Sequence, residues 1–316
     1  MEDLTESFVE LIRRASTDLP ADVEAAVRAA QAREEPGSAA AGALATVLEN
    51  VSVARANSTP ICQDTGVPIF SVRHPRGAST RQLRTQIEAA VAEATRRAIL
   101  RPNAVDSLTG RNSGNNLGVG FPTFHFEEWD ARTADGAEAE GPQGNAADVA
   151  PASGSLFVVD LLLKGGGSEN VCAQYKLPYA SLEAGRDLEG VRRVVLDAVY
   201  RAQGKGCAPG VLGVAIGGDR GTGYMYAKEQ LFRPLDDVNP DRTLGRLEKR
   251  LLKEANSLGI GPMGFGGATT VMGVKLTARN RVPASFYVSV SYMCWAYRRD
   301  GCRLSETGKV TRWLYT

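Results

Sequence analysis

Two short apolar runs stop abruptly at glycine. Leu156 to Leu163 ends at Gly165-Gly166-Gly167, and Val211 to Ile216 ends at Gly217-Gly218. Runs of this length bounded by glycine read as buried strands. Glycine at the strand end lets the backbone approach a neighbour or a ligand closely and expose its N–H groups. Between the runs lie helical patterns. Leu4, Phe8, Leu11 and Ile12 recur at helical spacing, and helices are expected over 21–31, 39–54, 81–100, 187–203 and 241–258. Further strands are expected at 121–127, 270–276 and 285–292, the last with Phe286, Val288 and Val290 alternating with polar neighbours. Strands and helices interleave, so the expected class is α/β (α+β), with mixed β-sheets flanked by helices.

The stretch from Trp129 to Ser153 breaks the pattern. It is rich in Ala, Gly, Asp, Glu and Pro and has no hydrophobic period. It reads as an exposed, mobile insertion, about residues 130–153, within one domain spanning 1–316. No boundary is placed there, because motifs lie on both sides. The formal net charge of +1 gives no global electrostatic case for nucleic acid or an anionic membrane. No apolar run approaches the roughly 20 residues of a membrane span. The acidic, polar start from Met1 to Glu10 does not read as a secretory signal, so the cytoplasm is the default expectation.

Five cysteines, at 62, 172, 207, 294 and 302, are scattered with no Cys-x-x-Cys pair. A disulfide framework is not expected, and most would serve as small buried hydrophobes. Cys62-Gln63-Asp64-Thr65-Gly66 stands apart: a thiol, an amide, a carboxylate and a hydroxyl share a turn closed by glycine and stiffened by Pro60 and Pro68. Gly259-Ile260-Gly261-Pro262-Met263-Gly264 formally matches a dinucleotide fingerprint. It follows a helix rather than a strand, and Pro262 removes an N–H, so that reading is rejected. With only His74 and His125, metalloprotease and Ser-His chemistry have little to draw on.

The segment Pro60 to Gly66 resembles the first cluster motif of class I fumarate hydratases and L(+)-tartrate dehydratases. The resemblance continues through Ser113-Gly114-Asn115-Asn116, Gly165 to Asn170, Gly206-Cys207-Ala208-Pro209-Gly210, Ile216-Gly217-Gly218, Gly264-Phe265-Gly266-Gly267 and Cys294-Trp295-Ala296-Tyr297-Arg298-Arg299. It covers nearly the whole chain apart from the insertion. What the resemblance implies is a [4Fe–4S] cluster held by Cys62, Cys207 and Cys294, with one iron left open as a Lewis acid. It implies reversible addition of water to a small dicarboxylate. Gln63 and Asp64 would contact substrate, with Asp64 handling the proton at the hydroxyl. Arg101, expected at the end of the helix over 81–100, would clamp one carboxylate. Gly166, Gly167, Ser168 and Asn170 would meet the other. Cys172 would line the site, and Cys302 would be incidental.

Two departures accompany the resemblance. Single-chain relatives carry a histidine shortly before the last cysteine motif, where this chain reads Arg281-Val282-Pro283-Ala284-Ser285. The half that supplies the catalytic base and further cations would come from a separate beta subunit, in a dimer of alpha/beta pairs. Fumarate hydratase is the first reading, and the alpha subunit of L(+)-tartrate dehydratase the alternative. A non-catalytic iron–sulfur module and a structural zinc protein are the readings from other classes.

Overall fold

The computed structural model describes residues 3–129, 157–305 and 307–315. The insertion expected at 130–153 lies outside the described residues. In chain order the helices are α1 (Thr5–Thr17), α2 (Ala21–Arg33), α3 (Ala39–Asn57), α4 (Thr80–Arg96), α5 (Gly166–Asn170), α6 (Leu188–Ala202), α7 (Arg220–Glu229) and α8 (Arg242–Asn256). The strands are β1 (Val67–Pro75), β2 (Thr123–Trp129), β3 (Phe157–Lys164), β4 (Ala173–Lys176), β5 (Gly210–Ile216), β6 (Val271–Ala278), β7 (Tyr287–Met293), β8 (Arg299–Leu304) and β9 (Val310–Trp313).

The strands make two mixed sheets, in the orders β2-β1-β3-β8-β9 and β4-β7-β5-β6. β1 runs parallel to β2 and antiparallel to β3, and β5 runs parallel to β6 and antiparallel to β7. The mixed, helix-flanked architecture is the one the interleaved pattern predicts. The two apolar runs, β3 and β5, occupy inner positions, and every one of their residues is buried. A strand paired on both edges and covered on both faces has no polar side to show, which explains the unbroken apolar sequence.

Each sheet has its own core. Leu83, Ile87 and Val91 of α4 and Phe8, Leu11 and Ile12 of α1 pack with Phe70, Val159 and Leu161 of the five-stranded sheet. Val191, Val195 and Val199 of α6 and Leu244, Leu247 and Leu251 of α8 pack with Leu212, Val214, Val288 and Val290 of the other. Asp187 and Asp241 accept backbone N–H groups at the starts of these two helices, the usual role of an aspartate N-cap. A third cluster, with Ile61, Ile69, Leu162, Val211, Met293 and Tyr297, joins the sheets. The candidate site hangs on this junction.

Several expectations need correction. The helix expected over 81–100 ends at Arg96. Ala98 turns left-handed at φ +59°, and the N–H groups of Ile99 and Leu100 both fold back to the Ala94 carbonyl at 2.9 and 3.2 Å. That closure caps the helix, so Arg101 lies in the loop beyond it, not on the helix. The stretch Gly165 to Asn170, expected as a glycine turn, forms the short helix α5. β1, β4, α7, β8 and β9 had no sequence expectation. β8 reads Arg299-Asp300-Gly301-Cys302-Arg303-Leu304 yet is buried throughout. Two of its charges are matched from other elements, Arg299 by Asp22 and Asp300 by Arg14 at 2.6 Å, whereas Arg303 has no ion pair among the described residues.

Candidate active site

The Cys62 loop joins α3 to β1 and is held from three sides. Ile61 N–H donates to the Ser16 carbonyl at 3.0 Å, and the Ile61 carbonyl accepts from Asn50 Nδ2 at 2.8 Å. Thr65 is fully buried, and its Oγ1 accepts the Arg101 N–H at 3.2 Å. Gly66 has φ +78°, and a Cβ there would lie 2.5 Å from the carbonyl carbon of Lys164. Only glycine lets this loop rest on the end of β3. Asp64 completes the junction. Its Oδ1 accepts Gly66 N–H at 3.0 Å, and its Oδ2 accepts Gly166 N–H at 2.7 Å.

Asn116 fixes the neighbouring loop. It is 1% exposed, sits at φ +58°, and reaches the Arg101 carbonyl at 2.7 Å and the Asn103 N–H at 2.6 Å. The motif Ser113 to Asn116 therefore holds Arg101 in place through its backbone. Arg101 is itself exposed, with Nη1 3.4 Å from the Gln63 carbonyl.

Cys207 follows a short 3-10 turn and takes a left-handed conformation at φ +55°. It is flanked by Gly206 and Gly210, at both of which a Cβ would strike the ring of Tyr292. Cys294 follows β7. The N–H of Trp295 donates to the Cys207 carbonyl at 3.2 Å, tying the two cysteine turns together. The loop Gly261 to Gly267 packs behind them: Met263 N–H donates to the Ala208 carbonyl at 2.9 Å. Its far end wraps the buried Glu34 carboxylate, which accepts the N–H groups of Ala268 and Thr269 at 2.8 and 2.9 Å. These glycines build the wall of the site; they do not line a nucleotide.

The three thiols lie in one electrostatic neighbourhood. Burial pushes Cys207 up, and Cys62 and Asp64 add to the shift. Burial pushes Cys294 up to about 11, Arg298 opposes the shift, and Cys207 and Cys62 reinforce it. Proton loss from such thiols needs a strong electrophile, which a bound metal centre supplies.

Of the carboxylate-binding residues expected in α5, Gly166, Gly167 and Asn170 are exposed. The Gly166 N–H is already taken by Asp64. Ser168 is buried and donates its hydroxyl to the Gly165 carbonyl at 2.9 Å. Cys172 neighbours Lys164 Nζ at 3.6 Å and receives the Tyr292 N–H at 3.4 Å. Cys302 is buried in the five-stranded sheet's core. Cys172 also borders a cavity of about 700 Å³ with Asn170, Gln174, Tyr179 and Lys205; Cys62, Cys207 and Cys294 are not in its lining.

Sequence reasoning missed the buried cations. Lys164 is 1% exposed, bonds the Tyr292 carbonyl at 2.8 Å and pairs with Glu169 at 2.9 Å. Burial pushes Glu169 up, but Lys164 and Lys228 outweigh it and hold the carboxyl below its ordinary range. Arg298 is 1% exposed as well. The only signal in the sequence was a polar residue ending an otherwise apolar run, at Lys164, and paired arginines after Cys294.

A model of the fumarate hydratase family, Fumerase, matches residues 5–303. The chain belongs to this family. It is 49% identical over 320 aligned positions to a Geobacillus stearothermophilus protein bearing the provisional name fumarate hydratase class I. The match covers 100% of this fumarase-family chain and 58% of that protein, so the chain spans little more than half its relative's length. It is 31% identical to a Methanocaldococcus jannaschii protein provisionally named L(+)-tartrate dehydratase subunit alpha, over 97% of this chain and 99% of that one. It is 32% identical to the L(+)-tartrate dehydratase subunit alpha of Escherichia coli strain K12, over 80% of this chain and 75% of that one.

Class I members of the fumarase family depend on iron–sulfur chemistry, so the residues must be tested against such a group. Among the described residues no three Cys, His, Asp or Glu side chains group tightly enough to hold a single metal ion. A cubane cluster asks for a different spacing, because each thiolate binds a separate iron at a separate corner. Orphaned donors fit that group. The Tyr292 hydroxyl and Arg298 Nε and Nη1 are buried without a hydrogen-bond partner among the described residues. Buried polar groups are seldom left so, and sulfur acceptors between the cysteine turns would satisfy them. The donor set of three thiols, with no histidine or further carboxylate among them, suits iron–sulfur ligation.

Proposed function

We propose that this chain is the cluster-binding part of a hydro-lyase that reversibly adds water to fumarate, giving malate. The observation that carries the reading is the convergence of the three cysteine turns. Cys207 and Cys294 are joined through the Trp295 N–H. Asp64 and Gly66 seat the Cys62 loop on the end of β3, and the Cys62 thiol lies within electrostatic reach of both other thiols. Cys62, Cys207 and Cys294 would hold a [4Fe–4S] cluster, which supplies Lewis acidity at an iron without a protein ligand.

The chain's own residues do the rest. Asp64 is held by two backbone N–H groups, which fix the position of its carboxylate. There it can accept a proton from the incoming water in hydration and return it to the departing hydroxyl in dehydration, and its neighbour Gln63 orients the same end of the substrate. Arg101 is exposed with a fixed backbone, and its guanidinium is held only by a long bond to the Gln63 carbonyl, which suits bidentate capture of one carboxylate. The exposed N–H side of Gly167 and the Asn170 amide meet the other. The base that removes the carbon-bound proton is assigned to a second polypeptide portion, a beta subunit in the split relatives. The exposed apolar side chains Leu108, Val119 and Phe265, on loops that follow Arg101 and Cys207 in sequence, offer it a surface.

The alternative substrate is L-tartrate. The almost complete mutual coverage with the Methanocaldococcus alpha subunit favours it. So does the loop Arg281 to Ser285: Arg281 spends its guanidinium on the carbonyls of Val282, Pro283 and Ser285 and stacks on Phe286 at 4.5 Å. That loop brings no imidazole toward a substrate.

The test is anaerobic purification of the chain alone and with a candidate beta subunit. Iron and sulfide are quantified, and fumarate hydration is compared with malate and L-tartrate dehydration. A brown chain that turns over only with its partner is expected. A colourless, zinc-loaded chain would sink the reading.

A further inference from the structure

Four buried or partly buried arginines of this chain are matched by acids or rings: Arg14 by Asp300, Arg233 by Asp237 and Glu248, Arg192 by Glu189, and Arg299 by Asp22 with Tyr297 and Tyr315 stacked on it. Arg298 is 1% exposed and has no ion pair among the described residues. Its Nε and Nη1 lack a hydrogen-bond partner there, as do those of Arg299, but Arg299 has the Asp22 carboxylate beside it and Arg298 has no such acid. Arg298 Nη2 lies 3.6 Å from the position a Cβ on Gly165 would take, and Asp64 Oδ2 lies 2.9 Å from that same position. The guanidinium thus faces the point where the Cys62 loop, the end of β3 and the Cys294 turn meet. Asp64 makes no hydrogen bond or ion pair with it among the described residues; the carboxylate oxygens accept the N–H groups of Gly66 and Gly166 instead.

A guanidinium keeps its charge in any protein. Burying one without a partner is strongly unfavourable. A fold retains such a group where an anion is present in the working state. Thiolate ligation brings negative charge into this compartment, because three thiolates outweigh the charge of the oxidised cubane core.

We propose that Arg298 is the charge partner of the three-cysteine centre, a positioning residue whose buried guanidinium offsets the negative charge of the ligated cluster and donates toward its sulfur atoms. This rests on the cluster reading above. Arg298 makes the centre easier to reduce and tightens its retention, and it leaves the cluster-free chain less stable than it would otherwise be. Net charge and hydrogen bonds to sulfur are the principal settings of such a centre's potential.

The experiment uses the full chain, reconstituted anaerobically with iron and sulfide, as wild type, Arg298→Met and Arg298→Lys. Thermal midpoints are measured without cluster, and reduction is titrated by electron paramagnetic resonance with the cluster loaded. The cluster-free Arg298→Met chain should melt at or above the wild-type midpoint, because an unpaired charge has been replaced by a methionine stem. Its loaded form should be at least tenfold harder to reduce, a shift of about 59 mV to lower potential for one electron. Arg298→Lys should recover most of that shift. A wild-type potential in Arg298→Met, or a cluster-free Arg298→Met chain that fails to fold, would overturn the role. If the wild-type chain itself takes up no cluster, the reading of the site falls first and this role with it.

Discussion

Asp64 and Gly166 are bonded across the site: the carboxylate Oδ2 accepts the backbone N–H at 2.7 Å, while Oδ1 accepts the N–H of Gly66 at 3.0 Å. An asparagine in this position has one oxygen and cannot accept both. Asp64→Asn should keep the cysteine turns in register and keep the cluster, but lose the proton acceptor. Activity with the partner subunit should drop by roughly 10²–10⁴-fold at unchanged iron content. Full activity in this variant would remove Asp64 from the chemistry.

Gly66→Ala tests the contact beneath that carboxylate. The new methyl would lie 2.5 Å from the backbone of Lys164, at a φ of +78°. Backbone cannot yield as a flexible side chain can, so the loop must lift. A loss of at least ~2 kcal/mol in unfolding free energy is expected, together with loss of iron. Chemical denaturation of the cluster-free chain measures the first, and iron analysis the second.

The five cysteines should separate into two groups. Alanine at Cys62, Cys207 or Cys294 should abolish the broad iron–sulfur absorption. Alanine at Cys302, buried between Val159 and Trp313 in the strand ladder, should leave it intact and lower stability by about 1 kcal/mol as a small cavity opens. Cys172→Ala should likewise stay brown, since its sulfur is engaged by Lys164 and the Tyr292 N–H. A colourless Cys172→Ala protein would mean the ligand set is wrong.

Tyr292→Phe removes a buried hydroxyl that has no hydrogen-bond partner among the described residues. The cluster-free chain should be as stable as wild type or slightly more so, because an unsatisfied polar group costs about 1–3 kcal/mol. The loaded chain should lose its iron faster in air, since a donor near Cys207 and Cys294 is gone. Parallel melting curves and bleaching rates read the two effects.

The acid limb of stability should depend on Asp237. Burial pushes this carboxyl up, but Arg233 and Lys275 outweigh burial and hold it below its ordinary range. A depressed carboxyl stabilises the fold above the unfolded-state pKa, near 3.9, and the benefit disappears as pH falls through the lower folded value. Wild type should therefore weaken steadily below about pH 4. Asp237→Asn should be destabilised by about 3 kcal/mol at neutral pH and show a shallower acid slope. Denaturant midpoints from pH 2 to 7 would show both.

The sequence announced β3, β5 and α8 clearly, because an inner strand or a one-sided helix writes its burial directly into its composition. β8 was illegible: its Arg299 and Asp300 are paired with Asp22 and Arg14, more than 250 positions away in sequence. Local pattern carries no trace of such a pairing. The cysteine motifs were legible as motifs, but not what the glycines beside them do. Gly66, Gly206 and Gly210 are explained by Lys164 and Tyr292, residues with nothing unusual about their own neighbourhoods. Arg101 was found, but on the wrong element, since the left-handed turn at Ala98 overrides a helical pattern that runs straight through it.

The third hydrophobic cluster has a mechanical meaning. Cys62 leads into one sheet, whereas Cys207 leads into the other and Cys294 follows it. The width of the gap between them is therefore set by how the sheets dock through Leu162, Val211, Met293 and Tyr297. Those side chains act as a calibrated spacer: trimming one would alter the fit of whatever the cysteines grip while leaving every ligand in place. The spacing of the three thiols is thus hostage to a patch of plain hydrocarbon.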